Sequence, residues 1–315
     1  MDFFGPADRG YEGCCPRGSR SFCMKATARA HGAITIVNAI SIGKGAAMGI
    51  DLYTEATVEV GGKNVEVAIE GSPEEDTSLA IAAARRVLKM AGMDCGAYVK
   101  VSSNIPIGRG LKSSSAAANA IVLATARAAN LRLSDVDALN MAVDAAIEAG
   151  VTITGAYDDA CASFYGGIVV TKNLERQLVK RVEAPEGLAV VLLVPEWKSY
   201  TKFFDKDVLK PIAPLVEEAY RLAMEGEYWK ALTLNGILHS AALNISARKA
   251  LEAIKAGALA AGLSGTGPAV AAVCKEEAVK DVAEALDEDG YELIIAKPNN
   301  KKAYSWAGDP VEGLG

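Results

Sequence analysis

Between Asn104 and Ala120 the chain reads NIPIGRGLKSSSAAANA: a proline after an extended run, a glycine-hinged loop, three consecutive hydroxyls, and an alanine-rich segment that only a helix accommodates. No other stretch restricts the fold as tightly, because strand, loop and helix start must follow one another without a linker. A helix start presents backbone N–H groups that lack intrahelical partners and the positive end of the macrodipole, so a loop of little bulk in front of it lets a phosphate approach. Gly108 and Gly110 supply the room, and Ser113, Ser114 and Ser115 supply hydroxyls able to cap the helix or face a metal ion.

With 315 residues, 50% of them hydrophobic and 23% charged, the chain can bury a large core and is long enough for two domains. A formal net charge of -6 argues against a nucleic-acid surface, while leaving room for local basic clusters around an anionic ligand. No run approaches the roughly 20 apolar residues of a membrane span. The purest, Leu188 to Val194, is strand-sized, and the apolar stretch from Ala256 to Val273 is broken by Ser264, Thr266, Pro268 and glycines. Cys14, Cys15, Cys23, Cys95, Cys161 and Cys274 form no repeated CxxC, and only His31 and His239 offer imidazoles, so no structural zinc site is expected. Scattered cysteines in a large core-forming chain without a secretion signal lead us to expect a reducing, cytoplasmic setting.

Residues 1–23 show neither helical nor strand period and read as a disordered extension or an over-extended start, with the fold beginning at Met24. From Lys25 to Val60 the pattern is strand, loop, strand: the loop is the glycine-rich SIGKGAAMG, and alternation runs from Leu52 to Val60. Lys44 stands between Gly43 and Gly45, where a loop cation can meet a carboxylate or phosphate; the stretch is no P-loop, because Gly45 and Ala46 follow where Ser or Thr is needed. Ser72, Pro73 and Glu75 read as the capping box of a helix that stops at Gly92. Strand Tyr98 to Ser102 feeds the serine loop, the helix behind it runs to about Asn130, and a second capped helix from Ser134 carries Asp144 and Glu148 near its end. Asp158 and Asp159 then sit among small and apolar residues. Adjacent buried carboxylates are unfavourable unless a cation or proton donor meets them, and a metal-bound nucleotide brings one. After strand Leu188 to Val194, helices from about Pro211 to Met224 and Tyr228 to Leu243 precede AGLSGTGPAVAAV, where Gly265 and Gly267 let Thr266 and its neighbouring N–H groups bend round an anion. A helix from Glu276 to Gly290 and a strand Tyr291 to Ala296 complete the core; residues 301–315 read as a loose tail, and the boundary between domains is indistinct between residues 175 and 187.

These loops, in this order, resemble the motifs of the GHMP kinase superfamily, the group of galactokinase, homoserine kinase, mevalonate kinase and phosphomevalonate kinase. Its second motif is a proline, a few residues, then GLGSSAA. Here Pro106 to Ala117 reads PIGRGLKSSSAA, with Lys112 at the usual second glycine. Ser264 to Pro268 is similar to the third motif, and Asp158-Asp159 to an acidic DN element, with Asp159 where relatives often have asparagine. Within the superfamily, NAISIGKGAAMGIDL, the triple serine, TGAYDDACASFYGG, LNGILHSAALN and KPNN resemble the archaeal-type shikimate kinases. The resemblance implies an α+β fold of two domains: a mixed-sheet, ATP-binding N-terminal domain with helices on one face over residues 24–180, and a ferredoxin-like C-terminal domain over residues 181–300. It implies transfer of the γ-phosphate of ATP to the 3-hydroxyl of shikimate with Mg2+, another small-alcohol kinase such as homoserine kinase being the alternative. By the same resemblance Pro106, Gly108, Arg109, Gly110, Leu111, Lys112, Ser113, Ser114, Ser115 and Ala116 hold ATP. Ungapped register makes Ser114 a metal ligand, a slip of one along the triple serine staying open, and Glu148, spaced from Asp158 as the family's metal-binding glutamate is, the second. Asp158 and Asp159 form the catalytic pair: Asp158 accepts the proton of the substrate hydroxyl or holds it oriented, and Asp159 binds substrate or metal. Thr266 and Gly267 close over the reacting phosphate, and Asn38 and Lys44 lie near the acceptor's carboxylate and hydroxyls. His31 and His239 are expected to be structural, and the partners to be a small-molecule acceptor, with no nucleic acid or membrane, in a monomer or homodimer.

Overall fold

A computed structural model describes residues 25–152, 155–197 and 206–308, so the expected extension 1–23 lies outside the described residues. The first part of the chain forms β1 (Lys25–Val37), β2 (Lys44–Val60), β3 (Val65–Ile69), α1 (Ser78–Met90), β4 (Ala97–Ser103), α2 (Ser113–Ala128), α3 (Asp135–Glu148), α4 (Tyr157–Tyr165), β5 (Ile168–Lys172) and β6 (Gln177–Val182). Their sheet is mixed: β3 runs parallel to β4, and the other pairs are antiparallel. Strand β2 serves two partners, Lys44–Met48 pairing with β5 and Thr54–Val60 with β4. Register shifts against β1 between His31 and Ala33 and between Thr35 and Val37 bend the strand pair where this change occurs. The helix-facing side of β1 presents Ala26, Ala28 and Ala30, all fully buried, and the facing stripe of α2 is also alanine-rich. Small side chains on both surfaces let helix and sheet approach closely, and contact area here comes from proximity rather than bulk.

Two local expectations are revised. The segment SIGKGAAMG is not all loop, since β2 already begins at Lys44. Its glycines answer to close approach: a Cβ on Gly45 would lie 2.3 Å from Asp158 Oδ2, and one on Gly49 3.1 Å from the carbonyl of Asn299. Helix α1 starts at Ser78 rather than Ser72, because the Asp76 carboxylate accepts from the Ser78 N–H at 2.8 Å and the preceding residues form a loop instead of a first turn. By contrast Ser134 caps α3 as expected, accepting from the Asp137 N–H at 3.1 Å.

The second part comprises β7 (Leu188–Pro195), α5 (Ala213–Glu225), α6 (Tyr228–Ala242), α7 (Arg248–Lys255), β8 (Ala260–Leu263), β9 (Val270–Lys275), α8 (Val279–Leu286) and β10 (Tyr291–Ala296). Its strands lie in the order β10-β7-β9-β8, all antiparallel, which is the ferredoxin-like arrangement. Strand β7 is buried along its whole length, hence its uninterrupted apolar sequence. Val190, Leu192 and Val194 on one face join Ile34, Ile36, Met48 and Ile50 of the first sheet, with Val216, Ala219 and Leu232 between them, in one shared core. The chain passes from one sheet to the other between Val182 and Leu188. The tail is not loose throughout: β11 (Tyr304–Ala307) returns to pair with β1, and Thr27 Oγ1 donates to the Gly308 carbonyl at 2.7 Å. Without it, the edge of β1 would present unpaired N–H and C=O groups.

Candidate active site

Strand β4 delivers the chain to the serine loop. Ser103 Oγ accepts from the Ile105 N–H at 3.1 Å, fixing the exit turn, and Gly108 (φ 67°) and Gly110 (φ 86°) take left-handed conformations that suit glycine. Lys112 follows at φ 65° and ψ 31° as the N-cap of α2, and no side chain caps the helix. The three serines therefore stand inside the first turn, correcting the expectation that they cap it, and Ser113, Ser114 and Ser115 line a cavity of about 840 Å3. Leu111 and Ala116 are fully buried in the shared core and act as anchors of this loop. Pro106 and Arg109 turn to an adjoining hollow of about 470 Å3, where the Arg109 guanidinium donates to the Glu196 carbonyl. Of the proposed ATP-binding set, Gly108, Gly110, Lys112 and the three serines line the larger cavity.

The hairpin between β8 and β9 supplies the opposite wall. Ser264 Oγ donates to the Gly110 carbonyl at 2.8 Å, the Gly265 N–H donates to Thr35 Oγ1 at 2.9 Å, and Asn38 Nδ2 donates to the Gly265 carbonyl at 2.9 Å. Asn38 is itself placed by Asn235, whose Oδ1 accepts from the Asn38 N–H at 3.0 Å. A Cβ on Gly110 would stand 2.3 Å from the Ser264 carbonyl oxygen, so the two glycine loops meet backbone to backbone. Asn38, Thr266 and Gly267 line the same cavity.

Helix α4 brings the acids to the same cavity. Asp158 is 4% exposed; Asn173 Nδ2 donates to its Oδ1 at 2.7 Å, and Thr171 Oγ1 donates to Asn173 Oδ1 at 2.7 Å, orienting the amide. Burial, and next the charge of Asp159, push the Asp158 carboxyl up to about 7, against the opposing pull of Lys112 and the Asn173 hydrogen bond. The Lys112 ammonium lies 3.1 Å from Asp159 Oδ1 as a charge contact; that buried oxygen has no hydrogen-bond partner among the described residues. Ile69, Leu79 and Ile107 and the loop Gly71–Asp76 line the same cavity, adding apolar surface and three carboxylates to it.

This arrangement has known counterparts. Residues 78–167 match the family model described as the GHMP kinases N terminal domain, and residues 230–292 match GHMP kinases C terminal. Over 284 residues the chain is 43% identical to shikimate kinase of Methanothermobacter thermautotrophicus, covering 88% of this chain and 97% of that one. Against shikimate kinase of Methanosarcina acetivorans the identity is 45% over 283 residues, with 89% and 96% covered. The chain belongs to the shikimate kinase branch of the GHMP kinases. Homoserine kinase from Cytophaga hutchinsonii, a solved structure at 18% identity, superposes with a TM-score of 0.72 over 92% of this chain and 100% of that one, a likeness of fold.

In this GHMP kinase two further residues of the expected site, Lys44 and Glu148, also stand apart from the cavity lining. Lys44 pairs with Glu217 at 2.6 Å and lies 5.6 Å above the Tyr220 ring; strand alternation sends it away from the side on which Gly45 meets Asp158. Glu148 pairs with Arg86 at 2.6 Å, its side chain 54% exposed, on the last turn of α3. Among the described residues no group of three or more His, Cys, Asp or Glu side chains is placed to hold a metal. His31 and His239 are buried; burial holds the His31 imidazole near 4, hence neutral, and His239 Nδ1 lies 2.9 Å from the Asn235 carbonyl. Three groups that build the site, Thr35, Asn173 and Asn235, escaped sequence reasoning. The available signal was a hydroxyl inside the apolar run AITIV, since a buried polar group in a strand needs a partner.

Proposed function

We propose that the chain transfers the γ-phosphate of ATP to the 3-hydroxyl of shikimate, giving 3-phosphoshikimate and ADP. The observation that carries this reading is the buried, raised-pKa Asp158 opening into one cavity with the unpartnered N–H groups of α2 and the glycine hairpin. The acceptor oxygen forms a bond to the γ-phosphorus as the bond from that phosphorus to the bridging β-oxygen breaks; ADP takes the electron pair, and the hydroxyl proton passes to the Asp158 carboxylate. A base near neutrality suits that role at physiological pH. The amides of Gly108 to Ser115 hold the phosphates, and the apolar lining residues Ile69, Leu79 and Ile107 pack on the flat base. Positioning and charge neutralisation supply most of the rate in such a transfer.

Five carboxylates, Glu74, Glu75, Asp76, Asp158 and Asp159, line this cavity beside a single ammonium among the described residues, Lys112. A polyanion enters such a place only with added positive charge. Mg2+, which keeps several waters and takes one or two carboxylates, fits the orphaned Asp159 Oδ1 and the Ser114 hydroxyl, and when bound it supplies charge neutralisation of the phosphates. Glu148, held by Arg86 outside the lining, has no part in this reading. Ser114→Ala is expected to raise the Mg2+ concentration for half-maximal activity about 10-fold, the equivalent of one lost contact. The same effect from Ser113→Ala or Ser115→Ala instead moves the ligand by one position.

A coupled ADP-release assay with shikimate, homoserine and mevalonate tests the acceptor. Shikimate is expected to be preferred by about 100-fold or more in kcat/KM, the discrimination of a site that hydrogen-bonds its substrate's hydroxyls against acceptors that lack them. Turnover of homoserine without shikimate overturns the assignment.

A further inference from the structure

Lys112 carries an unusual combination of features. Its backbone is left-handed at φ 65°, a conformation that a side chain disfavours and that persists where the surroundings enforce it. Its side chain is 9% exposed, its ammonium lies 3.1 Å from Asp159 Oδ1 without hydrogen-bonding geometry, and it reaches 3.0 Å from the point where a Cβ on Gly265 would stand. It is the sole lysine or arginine among the described residues lining the cavity. The ammonium thus sits between the helix-start loop, the hairpin loop and the acid pair. An anion held by the N–H groups of Ser113 to Ser115 and by the Gly265 loop lies within its reach. Neutralising Asp159 alone does not call for this, since an asparagine there would need no cation.

We propose that the Lys112 side chain is a catalytic cation that changes partners. In the ligand-free enzyme it neutralises Asp159; with nucleotide bound it turns to the oxygens of the terminal phosphate, and Asp159 is released to the metal. This inference rests on the assignment of the α2 mouth as the triphosphate site. It commits the ammonium to the nucleotide's γ-phosphate rather than to the acceptor's carboxylate, because Lys112 belongs to the loop whose next amides bind that phosphate.

The test removes the pairing role first. In the full-length Asp159→Asn variant Lys112 loses the one carboxylate within ion-pair distance, 3.1 Å away, while Asp158 still acts on it from farther off, and Lys112→Met is introduced in that background. Calorimetry without acceptor then compares ADP with a non-hydrolysable ATP analogue, and steady-state kinetics with shikimate follow. Loss of the cation is expected to weaken the analogue about 10-fold more than ADP, one charge-assisted contact. It is expected to lower kcat about 100-fold with little change in the KM for shikimate. Lys112→Arg, which keeps the charge, is expected to recover much of the preference for the analogue. Unchanged affinities and kcat would mean that the lysine only balances Asp159, and equal weakening of ADP and analogue would mean a damaged loop; either overturns the proposal. So does a raised KM for shikimate with the nucleotide preference intact. Because the calorimetry contains no acceptor, a wrong acceptor leaves it standing, whereas failure of the unmodified enzyme to bind either nucleotide overturns the ATP site and the proposal together.

Discussion

Asp158→Asn is expected to lower kcat by on the order of 100-fold or more while leaving ATP affinity nearly unchanged, because the amide occupies the same space and takes no proton. The shape of the site survives the change: Asn173 still has an oxygen to donate to, and the close packing against Gly45 needs no new volume. The same substitution has a second, opposite effect on stability. A carboxyl whose folded-state pKa is raised from 3.8 to about 7 favours the fold in its protonated form, so its contribution is complete below the lower value and is lost as pH climbs through the upper one. At about pH 8 the ligand-free parent therefore carries the unfavourable buried charge and the asparagine variant does not. The variant's unfolding midpoint is expected to exceed the parent's at about pH 8 by several degrees, and the gap to shrink as pH falls through about 7 toward 4. Thermal scans across that range check it. Normal turnover in the variant would remove Asp158 from proton transfer, and a pH-independent gap would remove the raised carboxyl.

Gly110→Ala is expected to damage both fold and nucleotide binding. The residue sits at φ 86°, and an added Cβ would lie 2.3 Å from the Ser264 carbonyl oxygen, a backbone atom that moves only if the hairpin moves. The hydrogen bond from Ser264 Oγ to the Gly110 carbonyl, 2.8 Å, sets the spacing of the two walls, so opening them misplaces every amide aimed at the phosphates. An about 10-fold or larger rise in the KM for ATP is expected, with an unfolding midpoint lowered by about 2–6 °C, the consequence of roughly 1–3 kcal/mol of strain. Gly92→Ala separates backbone strain from collision: that glycine has φ 68° with nothing within 4 Å of the added atom. It is expected to lower the midpoint by less and to leave the KM unchanged. Equal behaviour of the two variants in both measurements would mean that the loops are not coupled.

Much of this site was legible because its chemistry is local. A glycine-hinged loop before an alanine-rich helix and a hydroxyl-glycine hairpin are contiguous patterns, and both line the cavity at the expected residues. The ferredoxin-like order was implied by resemblance alone, and the uninterrupted apolar run of β7 marked only a buried strand. Where the structure departs from the expected arrangement, partners distant in sequence decide. Lys44 looked like a loop cation, but Gly43 and Gly45 serve close packing, and Glu217 from α5 claims the ammonium. Glu148 had the right spacing from Asp158 and is paired across α1 with Arg86. Ser72 and Glu75 satisfied a capping pattern, yet the loop they belong to lines the cavity and the helix begins at Ser78. The tail looked unpatterned because β11 is only a short edge strand whose pairing with β1 spans nearly the whole chain. The replacement of a glycine by Lys112 was visible in the sequence, but its contact with Asp159 was not, since nothing local reports which acid a lysine reaches.

A crystal structure of the full chain with a non-hydrolysable ATP analogue, Mg2+ and shikimate tests the central assignment most directly. The phosphates are expected against the amides of Gly108 to Ser115, with an acceptor hydroxyl within hydrogen-bonding distance of Asp158. Phosphates seated elsewhere, or an acceptor whose hydroxyls all lie beyond reach of Asp158, would contradict it.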